Sequence, residues 1–275
     1  LLSCEKDNQR DNESSNNQEN VNGSSDENVK YPQGAIKGVF SVSATKKVAF
    51  SQGNLQYQAS TDTWRFAEHQ YDYIGEDNEN ISSTYSGWID LFGWGTGDNP
   101  TNASESNEDY PTFVDWGVNK ISNGGNVSNA WFTLSYDEWY YLLRDRTNAE
   151  EKQGVACVNG INGLVLLPDD WTLPSGAHFT SGFASNYGYE YFKTVNTYTA
   201  SEWTLMEEAG AVFLPAAGRR IETSLFGVGE YGFCWGSTPD EGDSNRAYVL
   251  SADSVGQSVF WNNRSLGLSV RPVAE

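Results

Sequence analysis

With 275 residues and a formal net charge of −20 from 37 acidic and 17 basic side chains, the chain can bury a substantial core. It is too acidic for nucleic acid or an anionic membrane surface to be its main partner, because both need basic patches. Aromatic residues make up 14% of the chain, with 10 Trp against 1 Met, a balance that suits short strands and stacked rings more than a helical bundle. No segment is long and apolar enough to span a bilayer as a helix.

The first residues, Leu1-Leu2-Ser3-Cys4, set two apolar side chains and a small one before a cysteine. This resembles the bacterial lipobox, which would make Cys4 a lipidation site and tie the chain to a membrane through that anchor alone. From Glu5 to Lys30 the chain is mainly Asn, Ser, Gln, Asp and Glu, with only Val21 and Val29 apolar. Such a segment cannot offset the entropy of ordering and reads as a tether. The acids after the cysteine, in Cys4-Glu5-Lys6-Asp7-Asn8, resemble the surface-export signal of Bacteroidetes lipoproteins, although Lys6 interrupts them. The expected organisation is an anchor and linker over residues 1–30 and a globular domain over residues 31–275, lipid-anchored in the outer membrane at the cell surface.

The globular part opens with two runs, Ala35–Ser43 and Lys47–Ser51, that read as strands joined by the turn Ala44-Thr45-Lys46. Asn54–Gln58 and Thr63–Ala67 alternate in the same way, so an antiparallel meander is expected. Residues 77–109 form a long polar stretch punctuated by Trp88, Trp94 and Pro100, expected to be either functional or poorly ordered. Two helix starts carry capping boxes. Ser135 and Glu138 open a helix that buries Trp139, Leu142 and Leu143. Thr199 and Glu202 open one that buries Trp203 and Met206 and stops at Gly210. The nearly continuous apolar runs Val158–Pro168 and Ala211–Gly218 read as central strands covered on both faces. The fold class is therefore α+β: mainly antiparallel sheet with two flanking helices.

The stretch Gly229–Val273 combines short alternating strands with polar loops that carry aromatic residues. Its last piece places Leu266, Leu268 and Val270 on one face and Ser269 and Arg271 on the other, the period of a half-buried strand that Pro272 should end. The loops Trp235–Arg246 and Val259–Arg264 are the expected binding face. Trp235, Phe260 and Trp261 would supply flat apolar contact, and Asp240, Asn245, Arg246, Asn262 and Asn263 polar specificity. Ordinary turn chemistry also favours the Asn, Asp, Ser and Gly of these loops.

Five pieces in this order resemble the Fibrobacter succinogenes major paralogous domain family and its relatives in gut Bacteroidetes. They are Phe40–Tyr57, Trp88–Thr96, Leu164–Trp171, Val212–Arg219 and Gly267–Val273. The resemblance covers nearly everything after residue 33 and implies a C-type-lectin-like fold, distantly akin to the formylglycine-generating enzyme. Where the family usually has Tyr-Trp-Ser-Ser-Thr, this chain has Phe233-Cys-Trp-Gly-Ser-Thr. It implies a surface protein without an assigned reaction, and some relatives vary their C-terminal segment to change what they bind. The expectation is a non-enzymatic lipoprotein that binds an extracellular protein or glycan. A fimbrial or surface-assembly component is the first alternative. An enzyme of the formylglycine-generating type is the second, and it would need Cys157 and Cys234 on one accessible pocket.

Candidate reactive groups are few. His69 and His178 are far apart in sequence and neither has zinc-like spacing. Asp169 and Asp170 sit in a turn-like Pro168-Asp-Asp-Trp, and Cys157 and Cys234 are open either to a disulfide or to two separate thiols. Trp261-Asn262-Asn263 approaches the Trp-Asn-Asp triplet of C-type lectins but lacks its charged ligand. No cofactor and no assigned metal ligands are expected. The acidic loops Asp240–Asp243 and Glu105–Asp109 leave weak calcium binding as the one open alternative, beside the default of solvated loop acids.

Overall fold

The computed structural model describes residues 30–275, so Cys4 and the tether up to Val29 lie outside the described residues. Tyr31–Glu275 forms a compact unit. Its strands in chain order are β1 (Phe40–Ser41), β2 (Lys47–Phe50), β3 (Leu55–Gln58), β4 (Thr63–Phe66), β5 (Gln153–Val158), β6 (Ile161–Leu166) and β7 (Thr197–Tyr198). They continue with β8 (Val212–Pro215), β9 (Arg219–Ile221), β10 (Ser224–Phe226), β11 (Gly232–Pro239), β12 (Arg246–Ala252), β13 (Gln257–Asn263) and β14 (Val273–Ala274). The helices are α1 (Tyr136–Tyr140) and α2 (Ala200–Glu208), with several short 3-10 turns. The strands form sheets ordered β1-β2-β14, β3-β4, β7-β5-β6-β8, β9-β10 and β11-β12-β13. Apart from the parallel β5–β7 pair, these pairings are antiparallel. The protein is thus an α+β, sheet-rich domain.

Both helix starts form as their capping boxes require. The Ser135 hydroxyl accepts from the Glu138 N–H and Glu138 reaches back to the Ser135 N–H, and Thr199 and Glu202 do the same. After α1 the chain widens into a π-helical turn, Tyr141–Asp145, which still buries Leu142 and Leu143 beside Trp139. Helix α2 buries Trp203 and Met206 and is followed by Gly210 at φ 95°, a left-handed position glycine occupies without strain. The β5–β6 hairpin turns through Asn159 and Gly160, both at positive φ, as a two-residue Asn-Gly turn demands. Its sheet is covered on both sides. Leu164, Leu166, Val212 and Leu214 join one apolar cluster, while Ala156, Val158, Val165 and Phe213 join another against α2.

Four expectations are corrected. The first four strands are not one meander: β1 pairs with β2 and β3 with β4, but the other edge of β2 is taken by β14. The polar stretch 77–109 contains core, since Ile89, Leu91, Phe92 and Trp94 are buried. A buried aspartate clamps its start. Asp90 Oδ2 accepts from the Ile74 N–H at 2.9 Å and Oδ1 from Asn78 Nδ2 at 2.8 Å, while Asn78 Oδ1 accepts from the Asp90 and Leu91 N–H groups. The terminal segment is not a half-buried strand either, because Ser269 and Arg271 are as buried as Leu268 and Val270. It threads the interior by single bridges, Phe92 to Leu268, Arg220 to Gly267 and Cys234 to Ser269. Nor does Pro272 end the pairing. Its carbonyl accepts from the Ser51 N–H at 2.9 Å and β14 follows it, since proline lacks a donor and not an acceptor.

Arg271 is the reason this segment can be buried. With 1% of its surface exposed, its guanidinium donates from Nε to the Ser51 carbonyl at 3.0 Å, from Nη1 to the Phe213 carbonyl at 3.1 Å and from Nη2 to Gln70 Oε1 at 2.7 Å. Gln70 in turn donates to the Ala211 carbonyl and to Glu207 Oε1, and accepts from the Phe213 N–H. Burial pushes the Arg271 pKa down to about 10, so it stays charged at neutral pH. Replacing Arg271 by Leu leaves several buried acceptors without a donor, and urea denaturation is expected to register a loss of about 3 kcal/mol or more.

Burial pushes the Asp90 carboxyl up to about 6 against the hydrogen bonds from the Ile74 N–H and Asn78 that favour its charged form. Its acid form is therefore favoured by folding. The stability it lends is full below the ordinary carboxylate range and is lost as pH rises through about 4 to 6. Urea midpoints measured across that range should fall less steeply in Asp90→Asn than in the wild type, whatever the offset between the two proteins.

Candidate functional site

The sheet β11-β12-β13 carries the expected binding residues but does not collect them on one surface. Trp235 lies opposite Val249 in the β11–β12 register, and Val249 lies opposite Phe260 across β12–β13. Residues directly opposite each other share a face, so all three belong to the side that packs on the core with Phe233 and Ala247. Trp235 retains 1% of its surface and donates from its indole N–H to the Phe92 carbonyl at 2.7 Å. Its role as a contact residue is corrected: it is a core side chain, because β11 runs through the molecule rather than over it. Phe260 sits at the rim of the same side and keeps 39% of its surface.

The other side is open at one end. Leu250 and Ala252 are buried there with Cys234, whereas Arg246, Tyr248 and Trp261, further along, are half-buried or exposed. Trp261 lies opposite Tyr248 and keeps 44% of its surface. The Arg246 guanidinium stacks over the Trp261 ring at 3.5 Å and is held from below by Asp243, Nε to Oδ2 at 3.1 Å. Helix α1 extends the aromatic surface, with the Tyr136 ring 4.4 Å from that of Tyr248 and 5.9 Å from that of Tyr140. The helix is anchored there because the Tyr136 N–H donates to Thr238 Oγ1 on β11 at 2.9 Å. Sequence reading missed Tyr136, Tyr140 and Tyr248. The capping box placed Tyr136 at the start of a helix, but only the packing of α1 on β11–β13 brings it to this face.

The turn between β11 and β12 is built by its own side chains. Asp240 Oδ1 accepts from the Gly242 N–H and Asp243 Oδ1 from the Asn245 N–H, each at 3.0 Å. The Asn245 N–H, with the nearby Arg246 and Arg264, holds the Asp243 carboxyl below the usual range. Burial, with Asp240 among nearby charges, holds the Tyr248 hydroxyl above its usual value. Asn245 and Asn263 are exposed and Asn262 is half-buried. Asn262 and Asn263 are neighbours on a strand and so project to opposite faces, with Asn263 on the Trp261 side. Of the eight expected residues, Arg246, Trp261 and Asn263 therefore share one face. Asp240 and Asn245 lie in the adjoining turn, Phe260 and Asn262 on the far side, and Trp235 in the core.

The remaining candidate groups are scattered. Cys157 and Cys234 are free thiols, and burial pushes the Cys234 thiol up to about 12. Cys234 borders a void of about 10 Å³ with Leu164, Leu214, Gly232, Leu250 and Ala252, and Cys157 is not among its walls. His69 pairs with Asp72 at 3.0 Å in an exposed position, while His178 stacks on Tyr198. Among the described residues no three His, Cys, Asp or Glu side chains converge as metal ligands would. A cleft of about 720 Å³ lies elsewhere, between the segment Tyr71–Glu79 and Asn159, Ile161 and Leu225–Val228. Its parts are too far apart in sequence for their grouping to be read there. Comparison with protein-family models, curated proteins and solved structures finds no match for this chain.

The two tryptophans should separate cleanly. Trp235→Ala is expected to lower stability by about 3–5 kcal/mol through the cavity it leaves, whereas Trp261→Ala should change it by about 0.5 kcal/mol or less. Urea denaturation followed by circular dichroism measures both.

Proposed function

We propose that this chain is a cell-surface lipoprotein, anchored in an outer membrane through Cys4, whose domain is C-type-lectin-like and related to the Fibrobacter succinogenes major paralogous domain family. In this reading the domain is a binding module rather than an enzyme. Its partner is an extracellular protein or glycan that meets the face built by Arg246, Tyr248, Trp261 and Asn263, with Asp240 and Asn245 at its edge. The observation that carries the reading is the Trp261 ring, open to solvent and held flat by Arg246, which Asp243 fixes in turn.

An exposed tryptophan with a stacked arginine offers what a binding surface needs. It is large, has few rotatable bonds and combines apolar area with fixed donors. The row of tyrosines from α1 extends that area beyond one residue. The reading of the family rests on the five sequence pieces and on an α+β domain whose final strand returns to pair with β2. The burial of the Cys234 thiol in the core favours binding over chemistry that needs both cysteines on one accessible pocket.

The test is to probe glycan and protein arrays with the full chain and to titrate the strongest binder by calorimetry. Trp261→Ala and Arg246→Ala should each weaken that interaction by about tenfold or more with an unchanged melting temperature. Affinity unchanged in both variants rejects this face.

A further inference from the structure

Among the described residues no strand pairs with the outer edge of β13. In the β12–β13 ladder the even-numbered residues of β13 turn their backbone groups toward β12: the ladder extends through the Arg264 N–H to the Asn245 carbonyl at one end and the Gly256 carbonyl to the Asp253 N–H at the other. The odd-numbered residues therefore point outward. At the two ends the Gln257 C=O and both Asn263 groups are already engaged, the Asn263 C=O by the Leu266 N–H. Arg144 Nη2 donates to the Gln257 carbonyl at 3.0 Å, and the Asn263 N–H donates to Asn262 Oδ1 at 3.0 Å. Between them, the N–H and C=O of Val259 and of Trp261 have no partner among the described residues.

Exposed sheet edges usually carry a device against pairing, such as a charge, a proline or a bulge. Gln257-Ser-Val-Phe-Trp-Asn-Asn263 contains no charge and no proline, and its register with β12 runs without a shift. In a chain of net charge −20 this is a neutral strip with exposed Phe260 at its middle.

We propose that β13 is a self-association edge, pairing antiparallel with β13 of a second copy about a two-fold axis at Phe260. The register follows from the free groups. With Phe260 facing the second copy's Phe260, Val259 lies opposite the second copy's Trp261 and the reverse, so the N–H and C=O of all four residues are satisfied together. Such a contact is isologous and closes on itself. A second copy is the occupant because this one register satisfies the N–H and C=O of Val259 and Trp261 on both copies, brings two exposed phenylalanines together and pairs strands whose own residues carry no charge. The already bonded ends limit the pairing to the three central residues, which makes the dimer weak and reversible. The axis runs perpendicular to the sheet, so both Trp261 rings remain on one face of a joined six-stranded sheet. The association goes beyond the proposed ligand binding and does not depend on it. If both hold, the dimer presents two binding faces side by side and gains avidity.

Sedimentation velocity of the full chain from low micromolar to near-millimolar concentration tests this. A monomer–dimer equilibrium is expected, tighter at high ionic strength because the copies repel at long range. Val259→Pro removes an outward donor without touching the β12 ladder, and Phe260→Lys sets two like charges at the axis. Each should raise the dimer dissociation constant by about tenfold or more. Amide hydrogen exchange supplies a readout that needs no variant: the Val259 and Trp261 amides should gain protection as concentration rises. A chain that stays monomeric throughout overturns the proposal, as does a dimer that survives both substitutions. A dimer that forms without protecting these two amides, or that is lost in Phe260→Lys but kept in a folded Val259→Pro, overturns it equally.

Discussion

A charged guanidinium with no carboxylate beside it holds the C-terminal segment inside this domain. The Arg271 charge is solvated by backbone and amide oxygens, taking the Ser51 carbonyl after β2, the Phe213 carbonyl on β8 and the Gln70 side chain at once, with the Glu207 carboxylate one hydrogen bond further on. The planar fork suits this task because its donors point in fixed, divergent directions, where an ammonium would offer a point charge. Three remote parts of the chain are thereby tied to the last residues, and β14 then completes the sheet with β2.

Guanidinium donors meet buried carbonyls elsewhere around the core too, and Arg146 also has the Asp169 carboxylate 3.5 Å away. Arg146 donates to the carbonyls of Leu142 and Leu167, Arg220 to those of Leu91 and Glu222, and Arg264 to those of Arg246 and Tyr110. Much of this domain is irregular chain between short strands, and buried irregular chain leaves carbonyls that no ladder satisfies. Buried arginines supply the missing donors. Arg264 also lies over the Trp94 ring at 4.3 Å, so the segment that leads out of β13 is seated on the long connection between β4 and α1.

That face shows how one strand serves two ends. Along β12, Leu250 and Ala252 are buried on the side where Arg246 and Tyr248 lie open, because the core cluster around α1 covers only part of the sheet. Where the cover stops, aromatic rings that would otherwise be core become surface. Asp243 orients Arg246, Arg246 orients Trp261, and the row is continued by Tyr248, Tyr136 and Tyr140. In the proposed role, this built row supplies the contact, while the acidity of the rest of the chain supplies solubility.

Local chemistry was legible from the residues alone. Both capping boxes depend on neighbours in sequence and formed as their spacing implies. In contrast, the run Val158–Pro168, expected as one central strand, is broken by the Asn159-Gly160 turn between β5 and β6, and the run Ala211–Gly218 supplies β8 at the edge of its sheet. The expected binding loops are largely strands: Trp235 lies on β11, Arg246 opens β12, and Phe260, Trp261, Asn262 and Asn263 lie on β13, which leaves Asp240 and Asn245 in a turn. What the alternation of Leu266–Arg271 could not reveal is that both of its faces are buried, since a period of two marks opposite sides without saying what lies beyond each. Trp235 and Trp261 illustrate the same limit: both are aromatic residues in polar surroundings, and only the packing of β11 through the interior and of β13 at the rim makes one a core residue and the other a surface one. Tertiary structure decided burial, the pairing of β2 with β14, and the joining of α1 to the aromatic face, because each depends on contacts between residues that are distant along the chain.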